Sequence, residues 1–194
     1  QTANQSLLGR LNYGFKNKYL VEVAFRYMGT HAYPSESRWG FFPIASAGWR
    51  ISEESFMKQH LPIISNLKLR GSYGEVASNQ GFTAFQWIPG FSLSGGGSYE
   101  FNNGSLVAGA KSPAIVNPTL TWAVAKTSDI GIDIGLWKNK LTIEFDIYRR
   151  NQEGLPATRA LSLPNTFGAS LPQENLNSNR TDGTDFTVSF NDKA

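Results

Sequence analysis

The residues with the most obvious chemical potential are two carboxylates, Glu144 and Asp146, spaced to share one face of a strand. Strand rise would separate them by about 7 Å. A glycosidase carries its acid and its base or nucleophile at roughly 5–9.5 Å, so a glycan hydrolase is one reading. The other is that both acids face water from a strand that is apolar on its opposite side. The histidines, His31 and His60, lie far apart with no partner at metal-ligand spacing, so no metal site is expected. Gly95-Gly96-Gly97 lacks the strand before and helix after that a phosphate cradle needs, and reads as a loop tip. The chain has no cysteine, which excludes disulfides and thiolate chemistry. No catalytic residue and no cofactor is expected.

Composition narrows the class further. The 194 residues carry a net charge of +3 with no basic run, which argues against nucleic acid as a partner. Charged residues make up 17%, below the roughly 25% of a soluble domain, beside 13 Phe, 7 Tyr, 5 Trp and 19 Gly. There is no apolar run long enough for a membrane helix, and Gln1–Arg10 does not read as a signal peptide.

The elements that would position any site are strands. Tyr19, Val21, Val23, Phe25 and Tyr27 alternate with Glu22, Ala24 and Arg26. Ile130, Ile132 and Ile134 alternate with Asp129, Gly131 and Asp133. Leu141, Ile143, Phe145 and Ile147 alternate with Thr142, Glu144 and Asp146. Leu67, Leu69 and Tyr73 alternate with Lys68, Arg70 and Ser72. A two-residue period gives each strand one apolar and one polar face. The same tripeptide, Lys-Asn-Lys at 16–18 and 138–140, marks two tight turns in two similar hairpins. Strands are predicted at Leu7–Phe15, Tyr19–Tyr27, Phe41–Ile51, Leu67–Glu75, Thr121–Trp137, Leu141–Asn151 and Asn175–Asn191. A short helix over Glu53–Gln59, capped by Ser52 and ended by Pro62, is predicted between the third and fourth.

This order places the two tight turns and Ser52–Asn66 on one side. It places the long connections Met28–Gly40, Ala77–Pro118 and Gly154–Glu174 on the other. Short turns on one rim, long loops on the other and strands near ten residues describe a transmembrane barrel. Phe15, Tyr19, Trp49 and Trp137 by the short turns, with Tyr27, Trp39 and Phe41 by a long loop, would form two aromatic girdles. A soluble β-sandwich with those aromatics in its core is the alternative, and as a carbohydrate-binding module it would use exposed aromatics.

Several stretches resemble SusC/RagA-type TonB-dependent transporters. They are Arg38-Trp39-Gly40-Phe41-Phe42-Pro43 with Ser46-Ala47-Gly48-Trp49-Arg50-Ile51-Ser52-Glu53-Glu54, then Asn66-Leu67-Lys68-Leu69-Arg70-Gly71-Ser72-Tyr73-Gly74, and Asn117-Pro118-Thr119-Leu120-Thr121-Trp122 leading to Gly131-Ile132-Asp133. The strand from Tyr19 to Phe25-Arg26-Tyr27 fits the same pattern. The blocks occur in order over about 11–150. The resemblance implies an all-β fold of antiparallel up-and-down strands, part of the wall of a large barrel of about 22 strands with a plugged lumen. It implies long extracellular loops, short periplasmic turns and a bacterial outer-membrane location. It implies TonB-dependent uptake of oligosaccharides, glycans or peptides, with a SusD-like surface lipoprotein as lid, rather than enzyme activity. Residues 1–194 would supply about seven strands, without the plug domain through which TonB acts and without the remaining strands. The partners would then be those strands, the plug, the lipoprotein, TonB and outer-membrane lipid.

On this reading Lys68, Arg70, Asp129, Asp133, Glu144 and Asp146 face the lumen. Val21, Val23, Phe25, Ile130, Ile132, Ile134, Ile143, Phe145 and Ile147 face lipid. Trp87, Phe91, Tyr99 and Phe101, in the longest loop, either contact substrate or a partner or pack the loop against its surroundings.

Overall fold

A computed structural model describes residues 3–79, 81–91, 98–101, 104–110, 115–159 and 171–191. Its main element is an antiparallel sheet of seven strands. These are β1 (Asn4–Phe15), β2 (Tyr19–Thr30), β3 (Trp39–Arg50), β4 (Ile64–Ser78), β7 (Ala123–Leu136), β8 (Leu141–Thr158) and β9 (Gln173–Phe190), side by side in chain order. Two four-residue strands, β5 (Ser98–Phe101) and β6 (Ser105–Ala108), pair with each other inside the longest loop. All seven predicted strands are present, and β5 and β6 were not foreseen.

The Lys-Asn-Lys turns work by left-handed backbone. Lys16 and Asn17 have φ of 50° and 57°, and the Lys18 N–H donates to the Phe15 carbonyl at 3.0 Å. Two consecutive positive φ values match the right-handed twist of the strands they join. The second turn differs. Trp137, Lys138 and Asn139 all have positive φ, and pairing resumes at Leu136 with Leu141, where the first turn closes Phe15 on Tyr19. The shared tripeptide therefore sits in loops of different length.

The β3–β4 connection is a 3-10 turn (Ile51–Glu53) followed by a six-residue helix α1 (Ser55–His60). Glu54, not Ser52, occupies the N-cap position, and Ser52 is buried in the preceding turn. The Arg50 N–H donates to the Lys18 carbonyl at 2.7 Å, which docks the start of this connection on the first tight turn.

Cross-strand pairing sorts the side chains into two faces. One row runs Phe15, Tyr19, Trp49, Leu69, Ile132, Phe145 and Phe186, and the next Tyr13, Val21, Ala47, Gly71, Ile130, Ile147 and Thr184. The opposite face carries Gly14, Leu20, Gly48, Arg70, Gly131, Asp146 and Asp185, then Asn12, Glu22, Ser46, Ser72, Asp129 and Tyr148.

Buried residues gather at the strand ends rather than along the middle. The largest cluster is Tyr33, Phe42, Leu120 and Trp122, on the long-loop side, with Met28, Phe82, Trp87 and Val124 against it. Its rings meet edge-on, Tyr33 to Trp122 at 5.0 Å and Phe42 to Trp122 at 5.8 Å between centroids. Trp122 was expected inside a strand; β7 begins one residue later, and the indole packs in this cluster instead. Burial pushes the Tyr33 hydroxyl well above the ordinary phenol range.

Candidate functional site

The polar face is built by register. Lys68 and Arg70 lie on β4, Asp129 and Asp133 on β7, Glu144 and Asp146 on β8, and all six share that face. Arg70 Nε donates to Asp133 Oδ1 at 3.0 Å and Arg70 Nη2 to Asp146 Oδ2 at 2.7 Å. Arg70 Nη1 lies 3.9 Å from Asp129 Oδ1, and Lys68 Nζ 3.9 Å from Asp133 Oδ2. One guanidinium thus reaches three carboxylates, using the planar fork that suits Arg to this role.

Gly131 makes that reach possible. It stands between Arg70 and Asp146 in the cross-strand row. A Cβ there would collide with the Asp146 carboxylate and lie 3.0 Å from the Arg70 guanidinium. The missing side chain lets Arg70 pass over β7 to an acid two strands away. Alternation places Gly131 on the polar face, but its function appears only once β4, β7 and β8 are aligned.

Beside this network the face is concave. A cavity of about 500 Å³ is lined by residues that include Asn12, Glu22, Ser46, Lys68, Arg70 and Asp129. Glu22 is itself paired to Arg10 at 3.4 Å. Glu144 is exposed and stands opposite Asp133. The arrangement offers a wet surface of paired charges. Asp146 is committed to Arg70, so it and Glu144 are not two equivalent acids poised for hydrolysis.

The opposite face is apolar between aromatic ends. Phe15, Tyr19 and Trp49 stack in sequence at 6.5 and 6.3 Å. At the other end Tyr27 stacks on Trp39 at 5.1 Å and Phe25 on Phe41 at 5.8 Å. Trp39 and Trp49 bound the strand β3 on this face. Ten residue steps span about 33 Å, or about 25 Å along a normal at a tilt of ~40°, the height of a barrel's apolar band. Within it Val23 is 50%, Ile130 65% and Ile147 54% exposed. Such exposure of a continuous apolar band marks a surface made for an apolar neighbour.

The long-loop side is tied by amides. The Asn175 side chain accepts from the Thr121 N–H at 3.1 Å and donates to the carbonyls of Thr121 and Gly154, both at 2.8 Å. Asn117 accepts from the Thr119 N–H at 2.9 Å and donates to the Gln173 carbonyl at 3.2 Å. These bonds seat Leu120 and Trp122 in the cluster. Of the predicted loop contacts, Trp87 packs against this cluster, whereas Phe91 is 71% exposed. Tyr99 and Phe101 lie in β5, and their side chains, like Gly95-Gly96-Gly97, fall outside the described residues. His31 Nδ1 is 2.9 Å from the Ala3 nitrogen, beside the start of β1, and His60 Nδ1 is 2.8 Å from the Phe56 carbonyl one helical turn back. Among the described residues no three His, Asp or Glu side chains converge as a metal site.

A seven-stranded antiparallel sheet with one charged face and one apolar face between aromatic girdles is a segment of a transmembrane β-barrel wall. No family model matches the chain. It is 29% identical over 184 residues to the TonB-dependent receptor SusC of Bacteroides thetaiotaomicron, covering 94% of this chain and 18% of that protein. It is 31% identical over 193 residues to a TonB-dependent receptor of Formosa agariphila, covering 96% and 17%. Among solved structures it superimposes on the RagAB peptide importer in its open-open state with a TM-score of 0.80 at 20% identity, covering 96% of this chain and 19% of that one. The siderophore receptor PirA of Pseudomonas aeruginosa gives 0.59 at 10% identity, covering 95% and 30%. Over almost its whole length the chain is similar to one segment of SusC/RagA-type TonB-dependent receptors, and these relatives are receptors, not enzymes. It spans under a fifth of the length of the curated relatives it matches.

Proposed function

We propose that this chain forms part of the barrel wall of an outer-membrane importer driven through TonB. The observation that carries the reading is the division of one sheet into an apolar band bounded by stacked aromatics and a face of paired charges. The apolar band meets lipid and the charged face lines the lumen. The short-turn rim is periplasmic and the long-loop rim extracellular. The function of the whole is binding and gated passage, with no covalent step assigned to these residues.

Likeness to SusC and to a peptide importer supports an oligosaccharide, glycan or peptide as cargo, and a SusD-like lipoprotein over the extracellular rim. The remaining strands close the barrel, and a plug carries the contact with TonB. In the long loop, Phe91 is the exposed aromatic best placed to meet cargo or the lipoprotein, while Trp87 serves packing. Lys68, Arg70, Asp129, Asp133, Glu144 and Asp146 set the charge of the lumen wall.

The test is assembly of the full-length receptor. Phe145→Arg places a charge in the apolar band and is expected to cost about 2–4 kcal/mol near mid-bilayer, removing heat-modifiable barrel from the outer-membrane fraction. Glu144→Gln, one residue away on the other face, is expected to assemble like the parent. Equal assembly of the two variants would overturn the assignment of faces. A monodisperse, detergent-free monomer of the native protein would overturn the membrane reading.

A further inference from the structure

The connection between β3 and β4 is longer than a barrel turn requires, and it carries apolar side chains that the sheet does not cover. Phe56 is 51%, Leu61 47% and Ile63 55% exposed. Where this connection sits is fixed by Glu54. Its carboxylate accepts from Tyr19 Oη at 3.0 Å, Trp49 Nε1 at 3.3 Å and Lys18 Nζ at 2.8 Å. Tyr19 and Trp49 belong to the apolar face of the sheet. Glu54 therefore anchors the connection on the apolar side of the rim, continuous with the aromatic girdle, and α1 starts at the next residue.

Charge adds a second argument. The short-turn rim, over residues 16–18, 50–63 and 137–139, holds Lys16, Lys18, Arg50, Lys58 and Lys138 against Glu53 and Glu54. Both acids are already used, Glu53 by Lys58 at 2.6 Å and Glu54 by Lys18. A rim that is basic, aromatic and apolar together matches a phospholipid interface carrying negative headgroups.

We infer that Ile51–Ile63 is an interfacial foot, seated with Phe56, Leu61 and Ile63 among the headgroups of the leaflet at the short-turn rim, and that the surrounding lysines draw anionic phospholipid to it. The inference rests on the membrane reading above. The Glu54 network holds the foot against the girdle, so the segment lies along the membrane surface rather than across the lumen mouth.

Spin labels on the full-length receptor test this, in a background free of other cysteines and in vesicles of phosphatidylcholine with phosphatidylglycerol. Labels replace Phe56, Phe145 or Asn139, and collisions with oxygen and a water-soluble nickel chelate report depth. The label at 145 is expected in hydrocarbon and the label at 139 in water. The label at 56 is expected about 5–10 Å into the headgroup–acyl boundary. It is expected to move toward water in pure phosphatidylcholine, and in a Lys16→Gln, Lys138→Gln variant. A label at 56 as accessible to the chelate as the one at 139, with 145 in hydrocarbon, overturns the foot and leaves the barrel reading intact. An aqueous label at 145 overturns the barrel reading itself. A depth at 56 indifferent to phosphatidylglycerol overturns the role of the lysines.

Discussion

The two rims of this sheet are held by different physics. The long-loop rim owes its order to burial: Tyr33 and Leu120 are almost fully enclosed, Phe42 and Trp122 nearly so, and two asparagines lock the loop backbone over them. The short-turn rim relies on backbone geometry and surface polar bonds, with left-handed turn residues and a carboxylate shared by a lysine, a tyrosine and a tryptophan. Between them the strands bury little among themselves. The comparison teaches that a barrel wall keeps its own hydrophobic core only where a loop must be organised. Elsewhere its apolar surface depends on whatever surrounds it.

Removing the aromatic centre of the long-loop rim should do the most damage. Trp122→Ala is expected to cost about 3–5 kcal/mol, seen as accelerated hydrogen exchange in residues 30–42 and 115–125 with the short turns unchanged. If the short-turn rim loosened equally, the two rims would be one cooperative unit. A smaller effect is expected for Asn175→Ala, which leaves the Thr121 N–H and the carbonyls of Thr121 and Gly154 without their partner, at about 1–3 kcal/mol. Faster exchange confined to residues 117–122 is the expected signature.

The mildest perturbation is protonation of Glu54. Hydrogen bonds from Lys18, Tyr19 and Trp49 hold its carboxyl below the ordinary value of 4.5. A lowered native value means that the ionised form favours the folded rim. That contribution is present above the ordinary carboxylate range and is lost as pH falls through the lowered value. Cleavage within 51–63 by an acid-active protease should therefore rise on acidification below that range in the parent. In Glu54→Gln it should already be raised at neutral pH and vary less. Equal pH dependence in both would show that Glu54 does not hold the connection.

The strands were legible because one buried or lipid-facing side imposes strict alternation, as in Tyr19–Tyr27 and Leu141–Ile147. Their far ends were less so. β8 continues to Thr158 through Gly154, whose φ of 72° accompanies a break in pairing between Gln152 and Leu155, and no alternation survives such an irregularity. The short β5–β6 hairpin has no two-faced pattern to announce it. For the polar face, alternation placed Lys68, Arg70, Asp129, Asp133, Glu144 and Asp146 together, but which acid pairs with which base depends on register. Glu54 was equally hidden, since its three donors come from β2, β3 and the turn before β2.

Gly131 bears on how such a sheet avoids assembling wrongly. A slip of one residue between neighbouring strands turns every apolar side chain to the wrong face and is rejected at once. A slip of two residues preserves the faces, so hydrophobicity is blind to it. With β7 displaced by two, Asp129 or Asp133 would occupy the gap now left by Gly131. That would fill the space through which Arg70 reaches Asp146, an error that side-chain packing can detect. A residue with no side chain thus serves as a checksum for the alignment of three strands.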